Sequence, residues 1–140
     1  MKKKQSFKKL FKLPSQLESL EKAEKISEAI AAEAGFSSDL RDNLAIAVTE
    51  VVGNAIVHGN KQNPEKYVEL EFDIRSDRVI ISVKDQGAGF DPDCVADCLE
   101  PENLLKESGR GIFILKSLTH NLAIHPSKNG TTVRMTILKK

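Results

Sequence analysis

At 140 residues and 15.5 kDa the chain has the size of one domain and too little length for a multi-domain machine. Hydrophobic residues at 40% and charged residues at 29% mark an ordinary soluble globular composition, which excludes a disordered tail or a collagenous repeat. The 21 Lys+Arg against 20 Asp+Glu leave a formal charge of +1, too balanced for a dedicated nucleic-acid or membrane binder.

That balance conceals an asymmetry. Residues 1–12 carry six lysines and no acid, so the rest of the chain is five charges negative. Lys8, Lys9, Lys12 and Pro14 break up any apolar run behind the basic start, so no secretory signal is expected. Runs such as Ala45–Val48 fall far short of the roughly 20 residues of a spanning helix, and a cytoplasmic protein is expected. Cys94 and Cys98, four positions apart, read as packing residues in a reducing compartment.

In chain order, Phe7, Leu10, Phe11 and Leu13 predict a short amphipathic strand that stops at Pro14-Ser15. From Ser15 the apolar positions Leu17, Leu20, Ala23, Ile26, Ile30 and Ala34 follow a period near 3.6, with Ser15 and Glu18 as a capping box and Gly35 as the stop. A second helix starts near Ser37–Asp39 and runs through Leu40, Leu44, Ala47, Val48, Val51, Val52, Ala55 and Ile56. Its apolar residues cover so much of its circumference that it must be largely buried. After a turn at Lys61–Pro64, residues Tyr67–Ile74 alternate with period two, and Val79–Val83 form a second strand paired with them as an antiparallel hairpin. A loop with a short helix around Cys94–Leu99 leads to a third helix from Ser108 to about Thr119. Two closing strands follow, near Leu122–Ile124 and Thr132–Leu138. This order predicts an α+β fold: a two-layer α/β sandwich whose mixed, mostly antiparallel sheet is covered on one face by helices.

Three polar constellations interrupt the pattern. Glu50, Asn54 and His58 recur every four residues on one face of the buried helix. An Asn carbonyl oxygen is a hard ligand suited to Mg²⁺ beside phosphates and water, and the carboxylate is a candidate general base. Taken alone, E-x-x-x-N is more often an exposed helix face. Next, Asp85-Gln86-Gly87-Ala88-Gly89-Phe90-Asp91 follows directly on a strand. Gly87 and Gly89 permit close backbone approach to a flat ligand, and Asp85 can accept a hydrogen bond from an exocyclic amine such as that of adenine. Finally, Ser108-Gly109-Arg110-Gly111 at a helix start offers backbone N–H groups to phosphate oxygens, with Arg110 as a charged contact. Lys106 and His58 are weaker candidates for that contact, and His58 better suits the closing of its own helix. Neither G-x-x-x-x-G-K-[ST] nor a strand-borne G-x-G-x-x-G is present.

The ordered set E50-V-V-G-N54-A-I-V-H58-G59, D85-Q-G-A-G-F-D91, G109-R-G-I-F and G130-T-T-V133 resembles the Bergerat-type ATP-binding fold of gyrase, histidine kinases and the mismatch-repair ATPases. It most resembles the small anti-sigma-factor serine/threonine kinases, over roughly Leu10 to Leu138. The resemblance implies a single ATP-binding domain over residues 1–140, with residues 1–12 as a basic arm or edge strand and residues 92–108 as a lid over ATP. It implies that Glu50 activates the attacking hydroxyl and Asn54 holds Mg²⁺. Asp85, with Gly87, Gly89 and Thr132, would recognise adenine, and Gly109, Arg110 and Gly111 would bind phosphate. It further implies a regulatory kinase that phosphorylates a small antagonist protein, sequesters a sigma factor by partner switching, and forms a homodimer without direct contact to nucleic acid or membrane. Two alternatives stay open at this point: a nucleotide-dependent binding module with little kinase activity, and a stand-alone catalytic subunit of a histidine kinase.

Overall fold

The alternation of apolar and polar residues in the strands translates directly into the sheet. In the computed structural model, which describes residues 6–87 and 117–139, the strands are β1 (Phe7–Pro14), β2 (Tyr67–Ile74), β3 (Arg78–Lys84), β4 (Asn121–Ser127) and β5 (Gly130–Leu138). They form one five-stranded sheet in the order β1-β2-β3-β5-β4, and every neighbouring pair is antiparallel. The expected mixed sheet is therefore wholly antiparallel among the described strands.

Because side chains alternate across a strand, register decides which residues share a face. On the inner face Phe7, Ile74, Val79 and Ile137 stand side by side across four strands. One step along lie Phe72, Ile81, Met135 and Leu122, and the next row is Phe11, Leu70, Val83, Val133 and Ile124. Leu13 opposite Val68 begins a fourth row. Phe11 meets Phe72 edge-on at 6.3 Å between ring centroids, a favoured aromatic geometry. The outer face alternates charge instead. Lys8 stands opposite Asp73, and Glu69 lies between Lys12 and Lys84. Such opposite-sign neighbours support the register of a solvent-facing surface. Asp73 also accepts a two-pronged bond from the Arg75 guanidinium at 3.0 and 2.9 Å, which holds its carboxyl below the usual range.

Two helices, α1 (Glu18–Ala34) and α2 (Ser38–Asn54), cover the inner face. Their buried sides, Ala23, Ile30 and Ala31 on α1 with Leu44, Ala47, Val48, Val51 and Val52 on α2, close one hydrophobic core with the strands. Gly35 ends α1 in the left-handed conformation expected of it, at φ 75°. Ser37 caps α2, its hydroxyl accepting from Leu40 N. Lys9 points inward at the sheet edge and pairs with Glu33 of α1 at 3.1 Å, which explains how a lysine sits in an apolar row.

The predicted capping box at Ser15 does not form. Helix α1 starts three residues later, behind Leu17, and Ser15 is wholly buried with its hydroxyl donating to Lys66 O at 2.9 Å. The second helix also ends differently. At Asn54 it widens into a π turn over Ala55–Gly59, closed by Asn60 N to Ala55 O at 2.8 Å. Residues Ser117 and Leu118 are helical. The remainder of the expected third helix, the short helix near Cys94–Leu99, the lid over 92–108, both cysteines, and Gly89, Gly109, Arg110 and Gly111 lie outside the described residues.

Candidate functional site

Beyond Val83 the inner face of β3 stops being apolar. The next inward position is Asp85, whose N–H still bonds Thr131 O at 3.0 Å, so the chain keeps its pairing to β5 for one more residue. The carboxylate is 8% exposed, and its Oδ1 accepts from both Gly87 N and Thr131 N at 3.0 Å. No hydrogen bond reaches its Oδ2 from the described residues. Burial raises the Asp85 pKa, and this exceeds the opposing pull of the two N–H bonds and of Lys66. The result is a buried carboxyl group anchored through Oδ1, with Oδ2 set beside Gly59.

The walls around this carboxylate are glycine backbone. A methyl group on Gly59 would run into the carboxylate, and one on Gly87 would strike Gly59 O. Gly130 adopts φ 143°, and a methyl group there would strike Asp85 O. Two separate segments, at Gly59 and Gly130, thus approach Asp85 more closely than any side chain would permit, and Gly87 packs as closely on Gly59.

Gly59 also links the site to α2. That helix carries Glu50, half-buried, and one turn later Asn54, 9% exposed, before the π turn holding His58 ends on Gly59 beside Asp85. Helix α2 is fixed on the sheet by Leu44, Val48, Val51 and Val52, so its polar positions take their places from the core. No group of three or more His, Cys, Asp or Glu that could hold a metal occurs among the described residues. The Asn54 carboxamide oxygen is a hard donor of the kind that suits Mg²⁺ carried on phosphates.

A family model for the histidine kinase-like ATPase domain matches residues 13–137, from the end of β1 into β5 and including the site just described. The chain belongs to that family. Within it, the chain falls with the anti-sigma-factor kinases. The serine-protein kinase RsbW of Staphylococcus epidermidis is 32% identical over 131 residues, covering 89% of this chain and 82% of the relative. RsbW of Staphylococcus aureus strain Newman is 32% identical over 110 residues, covering 74% and 69%. Among solved structures, the blue-light activated histidine kinase of Erythrobacter litoralis EL346 superposes with a TM-score of 0.58 at 22% identity. The match covers 81% of this chain but only 39% of that kinase, so the likeness is one of fold. Among the described residues no helix of this ATPase-like domain is long and apolar enough to cross a membrane.

Of the residues singled out in the sequence, the fold brings Asp85 and Gly87 together and sets the end of the Glu50–Asn54 helix against them. Thr132 is not brought there. It pairs with Lys84 and His125, one position out of phase with buried Val133 and therefore on the outer face, whereas its neighbour Thr131 supplies the N–H to Asp85. A Thr-Thr pair cannot be phased from sequence without the exact register. Asn60, Ser15 and Gln86 also belong to the site's frame. The sequence signal for Asn60 is the turn-forming Gly59-Asn60 dipeptide, while Gln86 lies inside the Asp85 motif and Ser15 reads as a helix cap.

Proposed function

We propose that this protein is an ATP-binding regulatory serine/threonine kinase that acts as an anti-sigma factor, phosphorylating a small antagonist protein and sequestering a sigma factor by partner switching. The observation that carries the reading is the Asp85 carboxylate: buried, anchored through Oδ1 with Oδ2 beside Gly59, inside a glycine cradle at the end of the helix bearing Glu50 and Asn54. The serine-protein kinase names of relatives at 32% identity support the same activity.

In this reading Asp85 accepts a hydrogen bond from the adenine amino group, which guanine, bearing an oxygen at that position, does not offer. Gly87 and Gly89 let the base lie close to the backbone, and Thr131 takes the adenine-side place that the resemblance gave to Thr132. Gly109, Arg110 and Gly111 contact the phosphates. Mg²⁺, when bound through Asn54, neutralises phosphate charge. Glu50 accepts the proton of the substrate hydroxyl as its oxygen bonds to the γ-phosphorus, the bond to the β-phosphate oxygen breaks and ADP leaves. Dimerisation and a cytoplasmic location accord with the proposal and with the basic edge strand β1.

Incubation with Mg-ATP and the candidate antagonist tests the activity. Acid-stable phosphoserine or phosphothreonine is expected. Acid-labile phosphohistidine, or binding without transfer, overturns the kinase assignment in favour of a histidine-kinase subunit or a binding module respectively. Glu50→Ala should lower transfer by at least about 10²-fold while leaving ATP affinity nearly unchanged, and transfer at the wild-type rate would remove Glu50 from its role.

A further inference from the structure

The β2–β3 ladder ends one step before the site, and a side chain takes over from it. The last paired residues are Glu69 and Lys84, and the same register carried on would set Tyr67 opposite Gln86. On the other side β3 keeps its partner, since Asp85 N still bonds Thr131 O. At Asp85, then, the chain stays with β5 while it has parted from β2.

Asn60 fills the gap. Its side chain is 1% exposed; Oδ1 accepts from Gln86 N at 2.7 Å, and Nδ2 donates to Tyr67 O at 3.1 Å. These backbone groups are the two that an unbroken antiparallel ladder would bond to each other. The circuit closes through Gln86, whose Oε1 accepts from Tyr67 N at 2.6 Å. A second bond from Asn60 Nδ2, to Ser15 Oγ at 2.7 Å, fixes the amide against the end of β1, where Ser15 in turn donates to Lys66 O. Only one orientation of the amide satisfies all these partners. Gln86 N needs an acceptor and Tyr67 O needs a donor, so aspartate, though equal in shape, would set an oxygen against the Tyr67 carbonyl.

We infer that Asn60 is the positioning residue of the Asp85 loop: its carboxamide, wedged between Tyr67 and Gln86, holds the strand end apart from β2 and so sets the Asp85 carboxylate against Gly59 and Thr131. The inference rests on the proposal that Asp85 reads adenine. Asn60 touches no nucleotide in it and acts through the Gln86 backbone.

The test titrates Mg-ATP and Mg-GTP into the full chain and into Asn60→Asp and Ser15→Ala, alongside melting temperature and hydrogen exchange at the Gln86 amide. Asn60→Asp is expected to bind ATP about tenfold more weakly, to narrow the ATP-over-GTP preference by a similar factor, and to lose protection at Gln86 N–H. Ser15→Ala, which leaves the amide its Tyr67 and Gln86 partners, should narrow the preference about threefold. A lower melting temperature with an unchanged ATP-over-GTP ratio overturns the inference and leaves Asn60 a merely structural residue. Should Asn60→Asp fail to fold, Ser15→Ala decides on the same ratio. Should wild type bind neither nucleotide, the adenine reading fails by itself, and Gln86 exchange that is unaltered by the variants separately removes the wedge.

Discussion

The two ends of one sheet face are built on different principles. At the end formed by Phe7, Ile74, Val79 and Ile137 the strands are paired through backbone ladders and the side chains are apolar, so stability there comes from area removed from water. At the Asp85 end the β2–β3 ladder stops, side-chain amides bridge the strands, and glycine backbones crowd a buried carboxylate. Volume lost at the first end is a matter of stability alone. A single methyl gained at the second is a matter of geometry, and hence of binding.

Phe72→Ala probes the apolar end. Phe72 is fully buried, and its loss should destabilise the protein by about 3–5 kcal/mol while the folded fraction binds ATP as before. Denaturant unfolding and nucleotide titration check both halves, and a parallel loss of affinity would mean that the ends are coupled. Gly59→Ala probes the other end, where the added methyl meets the Asp85 carboxylate. Here about 1–3 kcal/mol of stability should go together with at least a tenfold loss of ATP affinity. Wild-type affinity in this variant would mean that Asp85 moves aside without consequence for binding.

Asp85→Asn sharpens the contrast because stability and binding should move in opposite directions. Asparagine Oδ1 can still accept from Gly87 N and Thr131 N, and no charge is buried. Burial raises the wild-type carboxyl pKa, so the folded state holds its proton more tightly than the unfolded state does. Wild-type stability therefore falls as pH rises from the unfolded value of about 3.9 to the raised folded one, and stays at the lower level above it. The variant should lack this fall and melt higher at neutral pH, yet bind ATP about 10–100-fold more weakly. Equal melting temperatures across that pH window would show that the buried charge carries no penalty.

Much of the apolar end was legible in advance. Period-two alternation in Tyr67–Ile74 and Val79–Val83 has one solution once a face must be buried, and Gly35 and Ser37 mark their helix ends by local chemistry. Ser15 shows where local chemistry misleads: its spacing to Glu18 fits a capping box, but a backbone carbonyl 51 residues away at Lys66 takes its hydroxyl instead. The π turn was equally hidden in the residues of the helix, and it ends on Asn60, whose side chain finds its partners Ser15 and Tyr67 on other elements.

By itself the sequence determined the antiparallel hairpin, the two covering helices, the family resemblance and the short list of polar residues that held Glu50, Asn54 and Asp85. These follow from local periodicity and from motif order, both written along one dimension. Only the tertiary structure decided that Thr131 and not Thr132 meets Asp85, that Gly59 and Gly130 must stay free of a side chain, and that Asn60 stands in for a missing stretch of ladder. Each of these depends on segments far apart in the chain arriving within a hydrogen bond's length of one another. Strand register and close packing fix such encounters, and neither can be read from residues one at a time.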